Sequence, residues 1–474
     1  MDKKQLVVIG GGPGGYPAAF LAADLGMKVT MVDPEANPGG VCLYRGCIPS
    51  KALLHVARLI HEAREAEAWG VKYQEPVLDL DRLRAWKESV VDKLTGGLGQ
   101  LRQQRGIEFI RGRARLTGAQ QLTVTGTDGK EQALSFEQAI LATGSRPAAL
   151  PGLPVSPRLW NSTAALNLEM VPATLLVVGG GYIGLELGSV YAALGSRVTV
   201  VEMLSGLLPG ADRDLVAPLA RRLEKQFAGI LLNTKVAEMT ETAEGLRVRF
   251  EGAGPKDPVQ VFDRVLVSVG RKPNSSELGL ENTRVALDTK GFVQVDGQRR
   301  TAEPTIFAIG DVAGEPMLAH KATHEARVAV EAALGKKTVF EPRAIPAVVF
   351  TDPEIAWCGV TETEAQKAGI PIRVSRFPWA ASGRAITLDR PEGVTKLIAE
   401  AETGKILGMG ITGPGAGDMI AEAALAIEMG ATAEDLALTI HPHPTLSETL
   451  MEAAEVNLGH CTHVYRKRKE GEAK

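Results

Sequence analysis

Four side chains in this sequence have types and spacings that can do chemistry together. Cys42 and Cys47, separated by four residues, lie in "GGVCLYRGCIPSKALLH" (39–55), and His443 and Glu448 lie in "TIHPHPTLSETLMEAAE" (439–455). A cysteine pair can hold a metal, staple the chain or exchange electrons. Zinc fits poorly, because the other two cysteines, Cys358 and Cys461, are single and far away in sequence; no metal site is expected. An inert pair and a redox pair both remain open from spacing alone. His443 follows His441 on a proline-punctuated segment, and Glu448 can orient an imidazole as a general base requires. Taken alone, an HxH segment is more often an incidental loop or a metal half-site than a catalytic base.

Helix geometry constrains the cysteines. On one ideal helix, positions five apart are rotated by about 140°, too far for an unstrained bridge. The expectation is therefore Cys42 in a loop and Cys47 at a helix start. Pro49 suits a first turn, and Leu53, Leu54, Ala57 and Ile60 recur at helical spacing after it. There a thiolate is favoured by the helix dipole and by a nearby cation such as Lys51.

The elements around the pair read as strand, glycine turn, helix. "QLVVIG" is a buried strand, and "GGGPGG" supplies Gly10, Gly12 and Gly15. A helix "YPAAFLAADLG" and a second strand "KVTMVD" ending in Asp33 follow. Such a turn admits a pyrophosphate to a helix N-terminus, while the acid can hold a ribose hydroxyl. The unit recurs in "TLLVVGGGYIGLELGSVYAALGSRVTVVE" as Gly179, Gly181, Gly184 and Glu202. The acid stands 18 residues beyond the last glycine in both copies (Gly15 to Asp33, Gly184 to Glu202). Two units with one internal spacing predict two dinucleotides. Glu202 is followed by "MLSGLLPG", with no arginine for a 2′-phosphate, which favours NAD over NADP. The first site precedes the cysteine pair, so its ligand should pass electrons to sulfur, as a flavin does. "QAILATGSRP" and "TIFAIGDVAG" add strands ending in Gly144 and in Gly310-Asp311. Asp311 at a strand end suits a ligand hydroxyl, or simply a turn. The last third carries hairpin strands between helices and no glycine fingerprint.

The whole chain agrees with a nucleotide-dependent enzyme. Its 474 residues suggest about three domains. With 53 basic and 56 acidic side chains the net charge is −3, which points to no nucleic-acid partner. No apolar run reaches the roughly 18 residues of a membrane span, and "MDKKQLVVIGGGPGG" runs from a polar start into a strand rather than a leader. A cytoplasmic protein without structural disulfides is expected, with Cys358 and Cys461 inert and "YRKRKEGEAK" a solvated tail.

With these motifs assembled, the chain resembles the flavin-dependent pyridine-nucleotide disulfide oxidoreductases over essentially its whole length. The resemblance rests on "GGGPGG", "GGVCLYRGCIPSK", "ATGSRP", "GGGYIGLELG", "AIGDVAG…MLAHKA" and "HPHPTLSE", in that order. It is nearest to members that oxidise dihydrolipoamide with NAD+. It implies an α/β fold with two Rossmann-like dinucleotide-binding domains and an α+β C-terminal dimerisation domain. The boundaries implied are 1–147 for FAD, 148–272 for NAD, 273–342 for a central domain completing the FAD site, and 343–474 for the dimer interface.

In that frame Cys47 is the thiolate against the flavin and Cys42 the sulfur that meets substrate. Lys51 sits near the reactive flavin nitrogen, paired with Glu186, and His443 is the base with Glu448 its partner. Asp311 holds the ribityl chain, Ala319 and His320 line the flavin, and Ala114 meets the adenine. Gly40 and Gly144 complete the FAD set, and Val236 and Gly270 the NAD set. The implied partners are dihydrolipoamide on a lipoyl carrier domain, a second copy of the chain sharing its active sites, and an acyltransferase core or glycine-cleavage carrier protein. Val41 and Tyr44 stand where the family usually has Thr and Asn, Pro442 where a small residue is commoner, and "AASGRAI" where Asn-Ser-Arg is frequent. NADPH-dependent members would want arginines after Glu202, and mercury-reducing members a further C-terminal cysteine pair. A retired dinucleotide-binding scaffold would not need the cysteines, His443 and Glu448 together.

Overall fold

A computed structural model describes residues 3–465; the basic tail from residue 466 onward and the first two residues lie outside the described residues. The first glycine unit nucleates a parallel sheet. Strand Ile306–Ala308 lies beside Glu131–Leu141, then Lys3–Ile9, Val29–Asp33 and Glu108–Gly118. Strand Gln121–Gly126 pairs antiparallel with the outer parts of Glu108–Gly118 and Glu131–Leu141. Ile306–Ala308 comes from the segment expected to complete the FAD site, and it delivers Asp311 to the same sheet edge as Ala142–Gly144.

The second unit builds its own parallel sheet, in the order Gly229–Leu231, Arg197–Val201, Thr174–Val178, Arg264–Val267, Leu159–Trp160. The central strands of both sheets are almost wholly apolar, as strands covered on both faces must be. An antiparallel meander, 234–262, packs on this second sheet. The ladder Ser145–Pro147 with Arg271–Pro273 links the two units. The last third forms an antiparallel five-stranded sheet, Ala347–Val349, Ile355–Gly359, Ile406–Thr412, Val394–Glu400, Ile372–Pro378, covered by helices Ala416–Met429 and Glu448–Leu458.

One expectation is corrected. Cys42 is not in a loop but in a short helix, Gly40–Arg45, which stops at Gly46 before helix Cys47–Glu65 begins. A Cβ on Gly46 would lie 2.8 Å from the Val41 carbonyl oxygen, so only glycine lets the chain turn this tightly between the two helices. With two helices instead of one, the 140° rotation no longer separates the sulfurs. Leu53, Ala57 and Ile60 bury one face of the long helix against Leu185 and Leu187 of helix Tyr182–Ala193. The cysteine helix of the first unit thus lies on the fingerprint helix of the second.

Candidate active site

The two glycine turns are built alike. Gly10 and Gly179 have φ of +104° and +107°, and a Cβ on either would strike the backbone of the neighbouring strand's end. A Cβ on Gly15 or Gly184 would collide with the carbonyl of Gly10 or Gly179, so these glycines set how closely each helix lies on its strand. Gly12 and Gly181 differ: a Cβ on Gly181 would meet nothing within 4 Å, and one on Gly12 only Gly40, at 3.8 Å. That bare space at a helix start is where a pyrophosphate fits.

The acids close the motif identically. Asp33 accepts from the Gly11 N–H at 2.6 Å and the Glu35 N–H at 2.9 Å; Glu202 accepts from the Gly180 and Leu204 N–H groups, both at 2.7 Å. In each unit acid and glycine are 22 residues apart. Burial pushes the Asp33 carboxyl up, against the pull of the Gly11 N–H and two arginines. Val236 is partly buried against Val178 and Val201 at the end of the second sheet, and Gly270, φ +105°, opens to solvent just after Val267.

Above the first turn lies a cleft of about 1070 Å³, lined by Gly10, Gly12, Asp33, Gly40, Cys42, Cys47, Lys51, Ala114, Gly144, Glu186, Asp311 and Ala319. His320 is not on its wall. Its ring turns away, and Nε2 meets the Pro346 carbonyl at 2.7 Å. The cleft, the bare glycine turn and the carboxylates near its ends fit an extended dinucleotide with a flavin against Cys47.

Cys42 and Cys47 are free thiols sharing a hydrogen bond. The donor Cys42 holds the Cys47 thiol down at about 7; burial opposes this, the Lys51 ammonium assists, and the Glu186 carboxylate resists. The same hydrogen bond, with burial and the Cys47 charge, drives the Cys42 thiol far up. The asymmetry favours negative charge on Cys47 over Cys42. Lys51 Nζ lies 2.7 Å from Glu186 Oε2, which also accepts from Ser50 Oγ at 3.1 Å, while Oε1 accepts from the Phe350 N–H at 3.0 Å.

Asp311 Oδ2 accepts from Ser145 Oγ at 2.5 Å, and Ser145 Oγ in turn accepts from the Arg271 Nε–H at 2.7 Å. Glu325, fully buried, accepts the Gly310 N–H at 2.6 Å and pairs with Arg299 and Lys321, which fixes the turn that presents Asp311. Ser145, Arg271, Glu325 and Phe350 were not singled out from the sequence. The ladder partners "SRP" and "RKP" were a usable signal for the first two; nothing local marked the others.

His443 Nδ1 lies 2.9 Å from Glu448 Oε1, and Oε2 accepts the Thr445 N–H at 2.7 Å. Burial would raise the Glu448 carboxyl, but the Thr445 N–H and the His443 ring hold it below the usual range. His441 is anchored separately, between the Thr439 carbonyl and Glu422. The His443 side chain is 76% exposed and does not line the cleft that holds Cys42. Beside it Leu438 and Ile440 are bare, at 75% and 95%. The other two thiols are less acidic: burial pushes the Cys358 thiol up to about 12 and raises that of Cys461.

The chain belongs to the pyridine nucleotide-disulphide oxidoreductase family: residues 4–326 match that family and residues 345–454 its dimerisation domain. It is an FAD- and NAD-dependent disulfide oxidoreductase and a homodimer. Among curated proteins it is similar to the dihydrolipoyl dehydrogenase of Vibrio cholerae, 48% identical over 461 residues covering 97% of each chain. It is equally similar to that of Thermus scotoductus, 48% over 466 residues, covering 98% of this chain and 99% of the relative. Among solved structures, LpdA from Mycobacterium tuberculosis superposes with a TM-score of 0.88 at 28% identity, covering 96% of this chain and 99% of its own. The flavoprotein disulfide reductase RclA of Escherichia coli follows at 0.86 and 29%, covering 96% and 100%. Among the described residues no helix is long and apolar enough to cross a membrane.

Proposed function

We propose that this enzyme oxidises dihydrolipoamide carried on a lipoyl domain to lipoamide, with NAD+ as final acceptor, in the cytoplasm. His443 Nε2, free because Nδ1 is held by Glu448, takes a proton from the substrate dithiol. The substrate thiolate attacks Cys42 Sγ of the oxidised Cys42–Cys47 pair, and Cys47 leaves as the thiolate its surroundings favour. The second substrate thiol, deprotonated in turn, attacks the substrate sulfur of the mixed disulfide and breaks its bond to Cys42, whose thiolate leaves and takes up a proton. Lipoamide departs, and two electrons remain on the cysteine pair. Bound FAD supplies the two-electron carrier between that pair and NAD+. Lys51, Asp311 and the first glycine turn hold the flavin; Glu202 and the second turn hold NAD+. The carrier of the substrate is an acyltransferase core or a glycine-cleavage carrier protein.

The observation that carries the reading is the asymmetric thiol pair on the cleft wall combined with an exposed His443–Glu448 pair outside that cleft. A base that serves Cys42 from outside its own cleft belongs to the second copy in the dimer. The test is turnover of dihydrolipoamide against reduced glutathione, each with NAD+ and NADP+. Fast turnover is expected only with dihydrolipoamide and NAD+; preference for glutathione would overturn the substrate assignment.

A further inference from the structure

Lys51, in the first nucleotide unit, touches two other parts of the molecule at once. Its ammonium bonds Glu186 of the second fingerprint helix, and it sits 4.5 Å from the ring centroid of Phe350, just beyond strand Ala347–Val349 of the dimerisation domain. The same Phe350 donates its backbone N–H to the free oxygen of Glu186 at 3.0 Å. One residue therefore holds both members of the ion pair, the cation by its ring face and the anion by its backbone. Lys51 and Glu186 line the cleft and Phe350 does not, so the ring needs no contact with the flavin to act.

We propose that Phe350 is a positioning residue whose ring face fixes the Lys51 ammonium beside Cys47 and so sets how much positive charge the flavin-side thiolate feels. An aromatic face attracts a cation through its quadrupole, and more strongly where water is partly excluded; the Lys51 side chain is 32% exposed and its partner Glu186 4%. A leucine of similar bulk would fill the space without that attraction. The ammonium would then be free to swing toward solvent, and less of its charge would reach Cys47, whose thiolate it supports. The contact also ties thiol chemistry in the first nucleotide unit to the seating of the dimerisation domain.

The inference rests on Cys47 being the flavin-facing thiolate, and the experiment separates the two. In the FAD-loaded dimer, half-reduced anaerobically with dithiol, a thiolate against flavin gives long-wavelength absorbance, and its pH midpoint reads the thiolate. Phenylalanine analogues with one, three and five ring fluorines at position 350 keep the shape and the backbone N–H while stepwise emptying the ring face. The midpoint should rise with each step, by roughly half a pH unit in total, and Phe350→Tyr should keep the native value. Phe350→Leu should match the most fluorinated ring, and the fluorinated series decides the matter if that variant does not fold. A midpoint unmoved across the series would mean that Phe350 only packs, and the proposal would be wrong. Absorbance that persists in Cys47→Ser would overturn the underlying thiolate assignment instead, and the inference with it.

Discussion

Lys51 and Glu186, 135 positions apart in sequence, meet at 2.7 Å where the cysteine helix crosses the second fingerprint helix. Their charges act on Cys47 in opposite senses, the ammonium lowering the thiol and the carboxylate raising it, and the net of all influences is about 7. Lys51→Met should therefore move the thiolate midpoint up, and Glu186→Gln should move it down. Titrating the long-wavelength absorbance of both variants checks the signs, and shifts in the same direction would contradict this arrangement.

In the proposed mechanism Cys42 has two separable duties, to meet substrate and to donate a hydrogen bond to Cys47. Cys42→Ser should abolish dithiol oxidation while sparing NADH-dependent reduction of artificial dyes, since hydride transfer to flavin bypasses the sulfurs. A serine hydroxyl still donates, so the Cys47 midpoint should stay near 7 in Cys42→Ser and climb toward the ordinary thiol value in Cys42→Ala. Equal midpoints in the two variants would show that the hydrogen bond is not what lowers Cys47.

Coenzyme choice follows from Glu202, whose two oxygens are pinned by backbone N–H groups at the strand end. In the proposed reading a negative charge there accepts ribose hydroxyls and repels a 2′-phosphate. NAD+ should be preferred over NADP+ in kcat/KM by roughly tenfold or more. Met203 is exposed beside it, so Glu202→Gln with Met203→Arg should shift the ratio toward NADP+. Equal kcat/KM values in the native enzyme would refute this role.

The parts of the site that were legible in the sequence are those fixed by local backbone chemistry. Glycines at 10 and 15, repeated at 179 and 184, sit where a turn and a close helix require them, those at 12 and 181 leave the bare space at the helix start, and the equal spacing to Asp33 and Glu202 reappears as one hydrogen-bond pattern used twice. His443 and Glu448 were within reach because they are five residues apart. Contacts between distant segments were not. Phe350 on Lys51, Arg271 on Ser145 and Glu325 on Gly310 depend on how domains and elements pack, and no periodicity encodes that. Cys42 was expected in a loop because only the helix starting at Cys47 was considered; a separate short helix, Gly40–Arg45, ends at Gly46 and holds it instead. His320 was placed on the flavin by resemblance, but its ring prefers the Pro346 carbonyl.

Stability should respond sharply at Lys396, whose side chain is 1% exposed among Asp212, Asp214 and Glu362, joining the second nucleotide unit to the C-terminal sheet. Burial would lower the lysine, but its carboxylate partners raise it; burial would raise both aspartates, but Lys396, Arg376 and backbone N–H groups lower them. The aspartate contribution is complete above the unfolded value of about 3.9 and is lost as pH falls through the depressed folded values. The lysine contribution is complete below about 10.4 and is lost as pH rises through its raised folded value. Lys396→Met leaves the buried Asp212 without its cation, while Asp214 and Glu362 keep Arg376, and should cost up to about 3 kcal/mol at neutral pH. Thermal unfolding across pH reads it; an unchanged Tm at pH 7 would show the network to be energetically idle.

The last expectation concerns how a complete site is assembled. His443 lies outside its own chain's cleft, held toward solvent by Glu448 and flanked by the bare Leu438 and Ile440, while Cys42 lines the cleft wall. If the base of one protomer serves the cysteine of the other, the dimer is obligatory for thiol chemistry but not for NADH-dependent dye reduction. Cys42→Ser and His443→Gln homodimers should each be nearly inactive toward dihydrolipoamide. Heterodimers formed by mixing the two unfolded chains and refolding them carry one site in which both faults coincide and one built from the native Cys42 of one chain and the native His443 of the other. With random pairing half of the dimers are mixed, so about a quarter of native activity should return. Were each site built within a single chain, every site in every mixture would carry one fault and no activity would be recovered.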